Sequence, residues 1–322
     1  MIGDPVAPSG APRLPAGTQV VLRRALTRPD GTTVQRGATG RVVADAADGG
    51  YAVTLPDGTG FTAGRDDLAL RRAYQHDLAV AGLDAGDPAE LVTGHTVLAA
   101  VVGSRAFGLD TDASDTDVRG TYLAPTPMFW GLVPPPTHVE GPAPEQFSWE
   151  LGRFCELALK ANPNLLEVLW SPLVVVSTLV GDELRALRGA FLSQLAHQTY
   201  NGYVLSQFVK IEADLRRQGH PTWKHVMHLL RLLLSARELL ATGEPLVDVG
   251  AARERLLAVR AGAVPWAEVD AWRLRLHAEI DELVLTTALP PVPDAVRVDA
   301  WLRDVRARSA RAELGELRQA GT

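Results

Sequence analysis

Apolar positions alternate in short runs near the start of the chain and fall into long helical stripes toward its end. Between residues 16 and 70, β-type runs at 19–22, 40–44, 51–55 and 60–62 are separated by Pro29-Asp30-Gly31, Asp48-Gly49-Gly50 and Pro56-Asp57-Gly58. Each of those tripeptides is a turn signal. Short strands at regular spacing predict a small β-barrel, SH3-like or KOW-like, over residues 16–72. Ahead of it, residues 1–15 are rich in Pro, Gly and Ala and are expected to form a disordered tail. Residues 71–95 read as a helical connection, with Asp87 as an N-cap and Pro88 at the first helical position.

From residue 96 the pattern changes. The apolar run TVLAAVV, a buried strand, ends at Gly103-Ser104. A loop follows, then a strand over 116–123, a Pro-rich excursion over 125–144, and a third strand at 145–149. That strand leads into a helix at 150–160, a second helix near 165–170 and an apolar strand at 173–176. Beyond residue 178 the spacing is helical, clearest at 222–241 (TWKHVMHLLRLLLSARELLA), where Gly243 is a C-cap candidate. Further helices are predicted at 253–260, 266–285 and 298–317. The class is therefore α+β, with a tail (1–15), a small barrel (16–72), an α/β core with a mixed sheet (73–177) and a helical domain (178–322).

Composition narrows the function. The 322 residues are 46% hydrophobic and carry a net charge of −6 at pH 7. That balance argues against a broad basic field for nucleic acid and leaves room for a local basic cleft. The single cysteine, Cys155, excludes an internal disulfide and a Cys-based zinc cluster, and its apolar setting (FCELAL) reads as a packing thiol. No apolar run approaches the roughly 20 residues of a membrane span. The first residues lack the basic start and apolar core of a signal peptide, so the expected compartment is the cytoplasm.

The chemistry concentrates in residues 103–120, GSRAFGLDTDASDTDVRG. Alternate residues of a strand share a face, so Asp115 and Asp117 are expected side by side. Two carboxylates that close repel unless a cation lies between them. The Gly103-Ser104 turn offers backbone N–H groups and a hydroxyl to phosphate oxygens. Such a set suits in-line attack on a nucleotide phosphorus, in which two divalent cations stabilise the entering and leaving oxygens. Asp110 and Asp112 read as turn formers. Arg105 can meet a triphosphate oxygen or brace the aspartate-rich loop, and Arg119 reads as a support of the site. Lys224, His228 and Arg231 fall at i, i+4 and i+7 on one helix face, with His225 one step round. A cationic stripe on an otherwise apolar helix asks for an anionic partner. Lys210, on the preceding helix, is a weaker candidate. Glu167, alone on an apolar helix, reads as half of a structural ion pair. No acidic ligand follows His225 and His228 at metal-site spacing.

The string GSRAFG…SDTDVRG resembles the DNA polymerase beta-like nucleotidyltransferase superfamily, and more narrowly its RNA-repair-associated predicted nucleotidyltransferase family. Gly103, Ser104, Asp115 and Asp117 carry the wider likeness, and Arg105, Gly108, Ser114, Arg119 and Gly120 the narrower one. EQFSWELGRF, KANPNLLEVLWSPLVV and KHVMHLLR also resemble that family, whose pattern the chain follows from about residue 95 to 243. The resemblance implies a metal-dependent transfer of NMP from an NTP, ATP being favoured, to a hydroxyl acceptor with release of pyrophosphate. It implies Asp115, Asp117 and Glu145 as holders of two Mg²⁺ or Mn²⁺ ions; the family has Asp where Glu145 stands, and Glu150 is the alternative third acid. It places Lys224 and Arg231 at the triphosphate, and with Gly103, Ser104, Arg105 and His228 these make up the expected nucleotide and phosphate contacts. An RNA end is the acceptor the family label suggests, with a protein side chain or a small molecule as alternatives. A non-catalytic nucleotide- or RNA-binding module is the rival function. Base preference and oligomeric state stay open.

Overall fold

A computed structural model of the chain describes residues 13–46, 49–79, 83, 87–112 and 114–320. It divides into two compact units, Met1–Asp84 and Ala85–Thr322.

The first unit holds strands β1 (Gln19–Leu22), β2 (Leu26–Thr27), β3 (Thr33–Val34), β4 (Thr39–Asp45), β5 (Tyr51–Thr54), β6 (Gly60–Ala63) and β7 (Leu68–Leu70), followed by helix α1 (Arg71–Ala79). Five of these strands form an antiparallel sheet in the order β6-β5-β4-β1-β7, and β2 and β3 make a separate hairpin. Among the described residues no pairing joins the edge strands β6 and β7, so the sheet stays open where a closed barrel was expected. Inward-facing Val20, Leu22, Val42, Tyr51, Val53 and Leu68 build its core. The turns are chemically set: Asp30 accepts from the backbone and hydroxyl of Thr32, and Asp57 does the same with Thr59. Residues 1–12 of the expected tail and Asp48 of one expected turn lie outside the described residues. Leu14, also assigned to the tail, is buried in this core.

The second unit opens with α2 (Pro88–His95), whose N-cap Asp87 accepts from the Ala89 N–H at 2.9 Å. A mixed sheet follows, built from β8 (Thr96–Val102), β9 (Asp117–Tyr122), β10 (His138–Glu140), β11 (Gln146–Glu150) and β12 (Val174–Ser177). Its order is β10-β11-β9-β8-β12, with β11 parallel to β9 and the other pairs antiparallel. The helices are α3 (Gly103–Ala106), α4 (Leu151–Leu159), α5 (Pro163–Trp170), α6 (Leu179–Ala186), α7 (Leu195–Gln218), α8 (Trp223–Thr242), α9 (Arg253–Arg260), α10 (Trp266–Thr286) and α11 (Ala295–Ala320). Gly243 ends α8 at φ +81°, a left-handed C-cap. One hydrophobic core runs from Leu98 on β8 through Phe154 on α4 and Leu166 on α5 to Leu230 on α8 and Leu276 on α10. The helix that carries the cationic stripe is thus packed into the same core as β8, the strand that ends at Gly103 and pairs with β9. Among the described residues no helix is long and apolar enough to cross a membrane.

Candidate active site

The site begins where β8 stops. Gly103 has φ +70°, a left-handed conformation that favours glycine, and a Cβ there would lie 2.7 Å from Asp117 Oδ2. The missing side chain lets the carboxylate of Asp117, paired across from Val102, sit against the turn. The same economy recurs at Gly120, where a Cβ would lie 2.7 Å from the Leu98 carbonyl oxygen. Glycines at both positions let β8 and β9 draw close and bring the motif's two ends together.

Asp117 is the first residue of β9 and lines a cleft of about 680 Å³. Its Oδ1 accepts from Arg119 Nη2 at 3.2 Å. Arg119 also donates through Nη1 to the carbonyl oxygen of Glu145 at 2.7 Å, tying β9 to the chain entering β11. Asp115 lies in the loop before the strand and is exposed, so the two aspartates do not alternate along one strand as the pattern predicted. The cause lies in Arg105. Its guanidinium donates to the carbonyl oxygens of Ser114 (2.9 Å) and Asp115 (3.3 Å), which fixes the loop backbone ahead of β9. The Arg105 side chain, expected at a phosphate, is spent on that brace.

Glu145 is exposed, and its backbone is left-handed at φ +57°. That conformation takes it out of β11, whose register would otherwise set it opposite Asp117. Phe147 and Trp149, which follow it at alternate positions, do face the cleft. Glu150 points the other way and is buried; its carboxylate caps α4 by accepting from the Gly152 N–H at 2.7 Å and pairs with Arg306 at 3.2 Å. That commitment removes Glu150 as a third site acid. Carboxylate oxygens are the right donors for a hard divalent cation. Yet among the described residues no three His, Cys, Asp or Glu side chains gather into a cation site, so Asp115, Asp117 and Glu145 do not form the two-ion cluster expected of them.

The opposite wall belongs to α7 and α8. Lys224, His225, His228 and Arg231 all line the cleft, joined by Lys210 and Tyr203 from α7. Arg231 is buried and bonded through Nη1 to Glu167 Oε1 at 2.7 Å, with its guanidinium 3.8 Å from the Phe107 ring centre. It therefore ties α8 to α5 and to the turn after Gly103, rather than standing free for a phosphate. His228 is pushed down to about 4, first by burial and then by the Arg231 charge, and is a neutral imidazole near pH 7. Lys210 and Lys224 have no acidic partner among the described residues, so their charge is open to the cleft.

The C-terminal part of the unit fastens the turn. Val249 N–H donates to the Phe107 carbonyl at 3.1 Å, Arg260 to that of Leu109 at 3.3 Å and Arg253 to that of Asp110 at 3.4 Å. Sequence reasoning missed these braces, and it missed Asp214, which receives His225 Nδ1 at 2.9 Å. The available signal was an acid eight residues ahead of a Thr-led helix start, within reach of its exposed N–H groups. Cys155 is buried, and burial pushes its thiol up to about 12, which leaves it inert.

The family model described as RNA repair pathway DNA polymerase beta family matches residues 79–304. Among curated proteins, the uncharacterized protein YcgL of Bacillus subtilis (strain 168) is 31% identical over 129 residues, which make up 36% of this chain and 50% of that protein. The chain thus spans about half the length of the curated relative it matches. No solved structure matches.

Proposed function

Because the chain belongs to the RNA repair pathway DNA polymerase beta family, we propose that its cleft transfers a nucleoside monophosphate from an NTP to a hydroxyl acceptor, releasing pyrophosphate. One observation carries the reading. The Gly103 turn and Asp117 face two lysines without acidic partners, Lys210 and Lys224, across a single cleft. A pocket with unmatched cations on one wall and a backbone turn on the other suits a polyphosphate better than a neutral ligand.

In this reading the triphosphate lies along α8 with its α-phosphate near Gly103 and Ser104. Lys224 and Lys210 neutralise the β and γ groups. Arg231 and Glu167 keep α8, α5 and the turn in register. Neutral His228 adds a hydrogen bond without adding charge. Divalent cations, general in polymerase beta-like nucleotidyltransferases, would be held by the carboxylates of Asp117 and Asp115. Bound there, they would neutralise charge on the reacting phosphate. Phe147 and Trp149 offer aromatic faces to a base. An RNA end fits the family's pathway as acceptor, and ATP is the favoured donor.

The test incubates the full chain with each α-labelled NTP, Mg²⁺ or Mn²⁺, and candidate RNA, protein and small-molecule acceptors, followed by denaturing gels and chromatography. The double change Asp115→Ala/Asp117→Ala is expected to abolish labelling while leaving the fold intact. Undiminished labelling would overturn the assignment. NTP binding that depends on metal but yields no pyrophosphate would instead favour a nucleotide-binding module, the reading that the exposed, left-handed Glu145 supports.

A further inference from the structure

His225 and Asp214 form a dyad in the cleft to which the reading above gives no task. Asp214, on α7, is 6% exposed. Its Oδ2 accepts from His225 Nδ1 at 2.9 Å and from the Thr222 N–H at 3.3 Å, and its Oδ1 accepts from Arg217 at 3.1 Å. The Thr222 donors foremost, and then His225, hold its carboxyl below the usual carboxylate range against the opposing effect of burial. The His225 side chain is 32% exposed and borders the cleft. Its Nδ1 is spent on Asp214, so Nε2 is the ring atom left for a ligand.

Resting on the transferase reading, we propose that His225, oriented by Asp214, gives its Nε2 proton to the departing pyrophosphate. The side of the cleft decides the role. His225 follows Lys224 on the wall assigned to the β and γ phosphates, while the attacking group approaches the α-phosphate from the side of β9 and β11. In the step, the acceptor oxygen forms a bond to the α-phosphorus. The bond from that phosphorus to the α,β-bridging oxygen breaks, and its electron pair stays on that oxygen. The Nε2 proton passes to the same oxygen, which leaves a neutral imidazole still donating Nδ1–H to Asp214. The acceptor's own proton leaves to water, and water reprotonates Nε2 before the next turnover. The titratable and charged groups around the ring are Asp214, Arg217 and Lys210 from α7, Lys224, His228 and Arg231 on α8, Glu167 on α5, and Asp117 and Arg119 across the cleft. His228 is no substitute donor, being neutral near pH 7.

A merely structural dyad would tie the end of α7 to the start of α8 and nothing more. Leaving-group chemistry separates the two roles. The full chain is assayed in single turnovers with the β,γ-methylene analogue of the NTP, whose leaving group is the more basic, and with the β,γ-difluoromethylene analogue. General acid catalysis is worth about 10²-fold or more. His225→Gln is expected to lose that factor with the methylene analogue and much less with the difluoromethylene one, at unchanged analogue affinity. Asp214→Asn keeps an oxygen for the Thr222 N–H and is expected to move in the same direction. A His225→Gln rate equal to wild type, or an equal loss with both analogues, would overturn the proposal alone. A wild-type chain that releases no pyrophosphate from any NTP would overturn the transferase reading and this inference with it.

Discussion

Arg231 shows how a residue's sequence pattern and its actual task can part. On the helix it completes a cationic stripe with Lys224 and His228, yet in the fold it is 6% exposed and its charge is answered by Glu167, 7% exposed, 64 positions earlier. Removing one partner of such a pair strands the other in a poorly solvated place, a loss of about 3–5 kcal/mol. Glu167→Gln is therefore expected to lower stability by about that amount, read as a shift in the urea midpoint. Arg231→Met alone should cost a similar amount, while the double change should cost clearly less than the two together. Strict additivity would mean that the two side chains do not act as a pair. Lys224 and Lys210 have no such commitments among the described residues, and it is they that keep charge available for a ligand.

At the scale of elements, the turn between β8 and α3 decides whether Asp117 is in place. Gly103→Ala puts a side chain on a left-handed residue, at a cost of about 1–2 kcal/mol. It also drives the new Cβ against Asp117 Oδ2. Transfer is expected to fall by far more than the modest drop in melting temperature explains. Gly94→Ala on α2 meets nothing within 4 Å and serves as the control that keeps both. A Gly103→Ala chain with normal turnover would show that the close approach is dispensable. Much at this scale was legible in the chain itself. Alternation located β1, β4, β5 and β6; Asp87-Pro88 marked the start of α2; Gly243 marked the end of α8; and TVLAAVV located β8. Tertiary partners decided the rest. Glu145 leaves its strand where Arg119 binds its carbonyl, Glu150 is claimed by Arg306 156 positions later, and Asp115 is set by Arg105. No local pattern encodes such partners. The three-residue strand β10 was hidden among prolines, and its pairing with β11 is what gives it away.

At the scale of the whole molecule, every cleft residue named above belongs to Ala85–Thr322, and the core beneath the cleft is built from that unit alone. The first unit has its own core around Val20, Leu22 and Val53. Nothing in the cleft chemistry calls on this unit. A chain trimmed to residues 85–322 is therefore expected to unfold cooperatively and to keep the thermal shift that an NTP with Mg²⁺ gives the full chain. Binding to the folded form alone stabilises by a free energy set by ligand concentration over Kd, so equal stabilisation free energies at equal NTP, each shift scaled by its own unfolding entropy, mean equal affinity. The net charge of −6 sharpens the same comparison. Binding carried by Lys210 and Lys224 alone has a shallow salt dependence, because few counterions are released. Loss of the NTP shift in a well-folded 85–322 chain would mean that the first unit takes part in holding the nucleotide. A retained shift with weakened labelling of RNA would assign the first unit to the acceptor.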